Sequence, residues 1–214
     1  MIEVMRSLFF LLIVRPLIMV VIGLNIRRWD ELPKRGPAII VASHNSHLDT
    51  LVLMSLFPLQ LLPKLRPVAA ADHFLRSRLL AWFTLNIIGI IPIERRGEAR
   101  PGGDPFAACH EALALGDILI LFPEGTRGEP EKLLSFKNGI GHLAERHPDV
   151  PVVPIFLHGL GKALPKGEGL LVPFICDGFV GEPLYCNGDR SAFMGELYSH
   201  MKALAAEGGF PTWE

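Results

Sequence analysis

Asp117-Ile118-Leu119-Ile120-Leu121-Phe122 reads as a strand buried on both faces, because four consecutive β-branched or leucine side chains leave no polar face for water. Ala38-Ile39-Ile40-Val41-Ala42 reads the same way. Doubly buried strands occur in sheets covered by helices on each side, joined by crossover connections. The rest of the chain supplies those helices. Leu51–Phe57 is an apolar helical run stopped by Pro58. Leu75–Ile87 is a second. A third follows the Asp104-Pro105 cap, with Phe106, Cys109 and Leu113 on one face, and ends at Gly116. Asn138–Arg146 is a fourth, and a last begins near Asp189 with Phe193, Leu197, Met201 and Leu204 on one face. Further strands are expected at Leu24–Trp29, Arg66–Ala71, Gly89–Glu94, Val152–Leu157 and Leu170–Cys176. The expected fold is a single α/β domain over residues 25–214, with a mixed, largely parallel sheet flanked by helices.

Residues 1–24 differ from this pattern. Leu8–Val14 and Leu17–Ile22 are wholly apolar, with Arg15-Pro16 between them. A spanning helix needs about 20 predominantly apolar residues, and a central charge is costly there. Two short apolar pieces around a proline fit a helical hairpin or kinked helix lying in a membrane interface. No small-residue cleavage site follows, so a signal peptide is disfavoured. The competing reading packs this segment on the domain core.

The chain is 214 residues long, half of them hydrophobic, with a mean hydropathy of +0.34. Its net charge of −1 conceals a basic first half: residues 1–100 carry 13 Lys and Arg against 7 Asp and Glu. Arg6, Arg15, Arg27 and Arg28 stand beside the apolar runs, which suits anionic lipid headgroups; a basic surface also attracts phosphate substrates and acidic carriers. Nothing points to nucleic acid. Cys109, Cys176 and Cys186 have no C-x-x-C spacing and read as reduced, structural residues.

His44-Asn45-Ser46-His47-Leu48-Asp49 follows the Ala38–Ala42 strand. Open α/β sheets bind ligands beyond the carboxyl ends of their strands. Ser46 is a good N-cap, which puts Asp49 in the first helical turn, leaning back toward His44. A carboxylate on one imidazole nitrogen frees the other to take a proton from a hydroxyl. The competing reading makes Ser46-x-x-Asp49 a capping box with a purely structural carboxylate. A metal cluster of His44, His47 and Asp49, with Glu124 or His158, is a weaker alternative. His73, His110, His142, His147 and His200 form no constellation by spacing. No nucleophile elbow, phosphate loop or dinucleotide fingerprint is present, so direct attack by an acceptor hydroxyl is favoured over a covalent intermediate.

Four blocks in order carry a family resemblance: Ser43-His44-Asn45-Ser46-His47-Leu48-Asp49, Gly89-Ile90-Ile91-Pro92-Ile93-Glu94-Arg95, Phe122-Pro123-Glu124-Gly125-Thr126-Arg127 and Val152-Val153-Pro154-Ile155. They resemble the glycerolipid acyltransferases, in particular the bacterial 1-acyl-glycerol-3-phosphate (lysophosphatidate) acyltransferases. The resemblance implies His44 as general base with Asp49 as its partner. It implies Arg95 and Arg127 as ligands of the acceptor's phosphate, and Glu124, Gly125 and Thr126 as the loop shaping the acceptor site. Lys137, in Phe136-Lys137-Asn138-Gly139, is a further candidate. Ser43 stands where the family commonly has Asn.

The implied reaction moves a fatty acyl group from acyl-CoA or acyl carrier protein to a lysophospholipid hydroxyl. It needs no metal or bound cofactor, and is expected at the cytosol-facing side of the inner or another membrane. Other acceptors within the family are glycerol-3-phosphate, other lysophospholipids and lyso-aminolipids. Outside it stand a metal-dependent membrane hydrolase and an inactive membrane scaffold.

Overall fold

The computed structural model describes residues 1–46, 48–71, 77–93, 103–126, 133–163 and 174–209. Its centre is a 7-stranded sheet in the order β1-β7-β6-β2-β5-β3-β4. The strands are β1 (Ile22–Arg27), β2 (Ala38–Ala42), β3 (Leu65–Ala70), β4 (Ile91–Ile93), β5 (Ile118–Leu121), β6 (Val152–His158) and β7 (Phe174–Val180). Every pairing is parallel except β6 with β7, so the sheet is mixed and largely parallel.

Alternation in the two apolar strands divides the core. Ala38, Ile40, Ala42, Ile118 and Ile120 face one layer, which contains α3 (Asp49–Ser55). Ile39, Val41, Leu119 and Leu121 face the other, formed by α5 (Ala107–Ala114), α6 (Gly139–Arg146) and α8 (Arg190–Glu207); the short α7 (Leu160–Ala163) follows β6. Side chains on β2 and β5 are buried on both faces, as an all-apolar strand requires.

Helix ends follow local chemistry. Asp189 caps α8, accepting the N–H of Ala192 at 2.9 Å, and Phe193, Leu197, Met201 and Leu204 are all buried. Gly116, at φ +74°, closes α5: its N–H reaches Leu113 O and the next N–H, of Asp117, reaches Ala112 O. Asp104 caps a turn rather than the helix, accepting the N–H of Phe106, and the helix starts at Ala107, two residues later than expected.

Several boundaries move. β1 begins at Ile22 and stops at Arg27, because Arg28 takes a left-handed conformation and Trp29–Glu31 coil into a 3-10 turn. The expected helix over 75–87 is α4 (Arg78–Phe83) continued by a π turn over Thr84–Ile88; 72–76 lie outside the described residues. β7 runs on to Val180, through the turn-like pair Asp177-Gly178, because that pair is held between β1 and β6; glycine at 178 leaves room for Ile26 of β1. Residues 164–173 lie outside the described residues.

The N-terminal segment forms one helical run rather than a hairpin: α1 (Ile2–Phe9), a π turn over Phe10–Val14 and α2 (Arg15–Val21). The widened turn lets Arg15 N–H reach Phe10 O, five residues back, and absorbs Pro16 without reversing the chain. One face is core: Phe10, Val14 and Ile18 are buried, and Ile22 continues the line into β1. The opposite face keeps Leu8, Leu12, Ile13, Met19 and Val20 exposed. It adjoins α4, through an edge-on contact of Phe9 and Phe83 at 5.2 Å, and α4 exposes Leu79, Leu80 and Trp82. No helix among the described residues is long and apolar enough to cross a membrane.

Two of the arginines beside this segment, Arg6 and Arg15, reach inward, while Arg27 and Arg28 stay exposed. Buried Arg6 donates to Leu62 O at 3.0 Å and Asn86 O at 2.8 Å, and Arg15 donates to Phe57 O at 2.8 Å. Arg28 makes a two-pronged contact with Glu207 and donates to Val180 O, while Arg27 lies 5.1 Å over the Phe179 ring. Helix and domain are joined by these contacts, which a reading for headgroup contact alone did not foresee.

Candidate active site

β2 and β5 are neighbouring parallel strands, so their carboxyl ends open onto one edge of the sheet. The loop after β2 carries His44, and the loop after β5 carries Phe122–Thr126. Ser43 fixes where the first loop leaves the sheet: its Oγ accepts the N–H of Leu157, on β6, at 3.0 Å. A small polar side chain suffices for that bond, which accounts for Ser43 locally. Asn45 donates to Leu157 O at 3.5 Å.

Asp49 is fully buried, and its Oδ2 collects three donors: Asn45 N–H at 2.7 Å, Ser46 N–H at 2.9 Å and His44 Nδ1 at 2.9 Å. Ser46 is not the N-cap expected: α3 starts at Asp49 with Leu48 as its N-cap and no side-chain capping bond. Ser46 Oγ accepts the N–H of Leu48 at 3.3 Å, and Asp49 Oδ2 returns to Ser46 N–H in the turn that leads into the helix. The oxygen that organises this turn also faces the imidazole. With Nδ1 facing a carboxylate acceptor, the network assigns the proton to Nδ1 and the lone pair to Nε2. Nε2 has no partner among the described residues, and the His44 side chain is 21% exposed, enough for a substrate to reach it.

Phe122 stacks on the His44 ring with centroids 4.1 Å apart and planes inclined by 24°. Sequence reading placed Phe122 at the end of a strand and assigned it no role. The ring packs against the imidazole and helps hold its plane. The contact depends on β2 and β5 being neighbours in the sheet, which the sequence does not show.

The second loop is tight. Gly125 adopts φ +68°, and a Cβ there would sit 2.6 Å from Lys137 Nζ. Glycine thus allows the Lys137 ammonium to lie against the loop, and Lys137 N–H holds Pro123 O at 2.8 Å. Thr126 is exposed. Glu124 is buried and accepts the main-chain N–H of His44 at 3.3 Å; burial pushes its carboxyl above the usual range, against the pull of that bond. His44, Asp49, Glu124, Gly125 and Lys137 are brought together. Arg95 and Arg127 lie outside the described residues, although β4 and β5, which precede them, belong to the same parallel set.

Among the described residues no group of three or more His, Cys, Asp or Glu could hold a metal ion; His47 lies outside them. Spacing gave no hint of a second histidine cluster, yet one exists. His110 Nδ1 meets His147 Nε2 at 2.8 Å, and Asp104 Oδ2 lies 3.3 Å from His110 Nε2 and 2.7 Å from Arg146 Nη1. Burial lowers the pKa of both histidines, with Arg146 adding to the effect.

A family model described as Acyltransferase matches residues 23–158, the span that carries both loops. The chain is 34% identical over 150 residues to the chloroplastic 1-acyl-sn-glycerol-3-phosphate acyltransferase of Arabidopsis thaliana, covering 69% of this chain and 40% of that one. It is 30% identical over 145 residues to 1-acyl-sn-glycerol-3-phosphate acyltransferase alpha of Homo sapiens, covering 64% and 46%. It is 31% identical over 134 residues to the lyso-ornithine lipid O-acyltransferase of Rhizobium meliloti, covering 61% and 42%. The matches thus span less than half the length of these curated relatives. In fold the chain is similar to the 1-acyl-sn-glycerophosphate acyltransferase of Thermotoga maritima, with a TM-score of 0.74 at 21% identity over 96% of this chain and 79% of that one.

Proposed function

The chain belongs to the Acyltransferase family, and from that premise we propose that it transfers a fatty acyl group to the free hydroxyl of 1-acyl-glycerol-3-phosphate, giving phosphatidic acid. The observation that carries the chemistry is the His44–Asp49 contact, with Nε2 open beside the Phe122–Thr126 loop. Nε2 takes the proton of the acceptor hydroxyl as that oxygen attacks the thioester carbonyl of acyl-CoA or acyl carrier protein. Asp49 stabilises the imidazolium formed. The tetrahedral intermediate collapses, the carbon–sulfur bond breaks, and the imidazolium returns the proton to the leaving thiolate. Lys137, with Arg95 and Arg127, holds the acceptor's phosphate; an arginine fork suits it in geometry as well as charge.

The same reading puts the protein on the cytosol-facing leaflet of a membrane. The exposed apolar face of residues 1–21, continued by Leu79, Leu80 and Trp82, is what supports docking. A docked site takes a lysolipid without drawing its whole acyl chain through water, at about 0.8 kcal/mol per CH₂.

A panel of lysolipid acceptors crossed with both donor types, read by mass spectrometry, tests the function. Phosphatidic acid is the expected main product. The relative acting on lyso-ornithine lipid motivates a second arm: transfer to a lyso-aminolipid with none to 1-acyl-glycerol-3-phosphate would replace the acceptor and keep the reaction.

A further inference from the structure

Glu124 sits in a loop that otherwise faces the cleft, yet its side chain is only 3% exposed. Its Oε1 accepts the main-chain N–H of His44 at 3.3 Å, and its buried Oε2 has no hydrogen-bond partner among the described residues. One side chain therefore joins two segments: its own loop after β5 and the loop carrying His44 after β2. That contact is to a main-chain donor, so it locates backbone rather than recognises a side chain.

That contact fits poorly with a ligand of the acceptor. A carboxylate repels a phosphate, and Asp49 already adds negative potential at this point, raising the Glu124 pKa along with burial. A group that reads a soluble phosphate also needs exposure, which Lys137 has and Glu124 lacks. His44, by contrast, needs placement at two points. Asp49 holds its ring, but nothing on its own short loop holds its main-chain N–H.

We propose that Glu124 is a positioning residue: it anchors the His44 main chain so that Nε2 meets the acceptor hydroxyl, and it makes no contact with the acceptor itself. This rests on the acyl-transfer reading for its kinetic consequence, but the anchoring contact can be read without any turnover.

The kinetic test compares Glu124→Ala with Glu124→Gln. Displacing a reacting group by a fraction of an ångström to 1 Å costs on the order of 10- to 100-fold, so Glu124→Ala should lower kcat by that factor and leave the acceptor KM within about twofold. Glu124→Gln keeps an oxygen for the His44 N–H and should recover most of the lost kcat. A raised acceptor KM at unchanged kcat would make Glu124 an acceptor ligand and overturn the proposal. So would a Gln variant as slow as Ala, which would make the charge, not the bond, the requirement.

The second readout is amide hydrogen exchange by NMR. In Glu124→Ala the His44 amide should exchange about tenfold faster, the order expected for one lost hydrogen bond, while Asn45 and Ser46, held by Asp49, keep their protection. Unchanged protection at His44 would refute the anchor. Where Glu124→Ala fails to fold, the isosteric Gln protein carries the test: loss of His44 protection or a raised acceptor KM there overturns the proposal. If the parent chain acylates no acceptor, the functional reading fails, while the exchange data still decide the contact.

Discussion

The His44–Asp49 loop and the N-terminal helical run both set polar groups against buried apolar surface, but the partners lie at very different distances along the chain. Asp49 gathers its donors from three, four and five residues away. Arg6 finds its acceptors 56 and 80 residues away, and Arg15 finds its own 42 residues away. The loop is a local device whose geometry follows from one helical turn. The arginines are stitches whose partners exist only once the sheet and its helices have assembled.

Breaking the local device should have the largest effect. His44→Ala should lower turnover by at least about 10²-fold in a protein that still folds, since general-base contributions are of that order or larger. Asp49→Asn should be comparably severe, and it also disturbs a carboxylate oxygen that serves two main-chain donors. Calorimetry beside the kinetics should therefore show a lowered Tm for Asp49→Asn and little change for His44→Ala. Equal melting of both variants would leave the bonds of that oxygen to Asn45 and Ser46 N–H without a stabilising role.

A long-range stitch should cost stability before chemistry. Arg6→Met leaves Leu62 O and Asn86 O without their donor, a loss of about 1–3 kcal/mol by denaturant unfolding. The kinetic constants of the folded fraction should stay close to the parent's. A stable Arg6→Met protein that has lost activity would mean the helix communicates with the site.

The outer face of that helix should behave in the opposite way. Met19→Lys with Val20→Glu changes side chains that are 82% and 83% exposed, so stability should stay within about 0.5 kcal/mol per substitution. Sedimentation with anionic vesicles should fall, and activity on vesicle-borne acceptor should fall more than on a short-chain soluble one. Unchanged vesicle binding would leave the exposed face without its proposed lipid partner. Deleting residues 1–24 is a poorer experiment, because it removes Phe10, Val14 and Ile18 from the core.

The smallest effect belongs to the His110–His147 pair, whose members lie 37 residues apart. Burial lowers both pKa values, so the unfolded chain binds protons first as pH falls below about 6.5. Their contribution is complete above that pH and is lost on acidification toward the folded-state values. Tm measured from pH 7.5 to 5 should fall less steeply in a His110→Asn, His147→Asn protein; an identical slope would remove the pair from the acid response.

The His44–Asp49 contact was legible because both residues lie in one hexapeptide at the entrance to one helix. Buried strands were legible for a related reason: an unbroken apolar run can satisfy itself only between two layers. Boundaries failed where a neighbour decided them. Asp177-Gly178 carries turn-forming residue types, but pairing with β1 on one side and β6 on the other keeps it in a strand. Phe122 gained its role from the adjacency of β2 and β5, strands separated by more than 70 residues of chain.

By itself, then, the sequence determined the α/β layering and the pairing of His44 with Asp49, and it marked Gly125 as a turn glycine. Those properties depend on periodicity, on one helical turn and on one backbone dihedral. Only the tertiary structure decided that Glu124 faces the His44 main chain, that Lys137 crosses Gly125, and that Arg6 and Arg15 point into the domain rather than toward headgroups. Each of these joins segments distant in sequence, and a charged side chain near an apolar run has no preferred direction until folding supplies the carbonyls or amides it can reach.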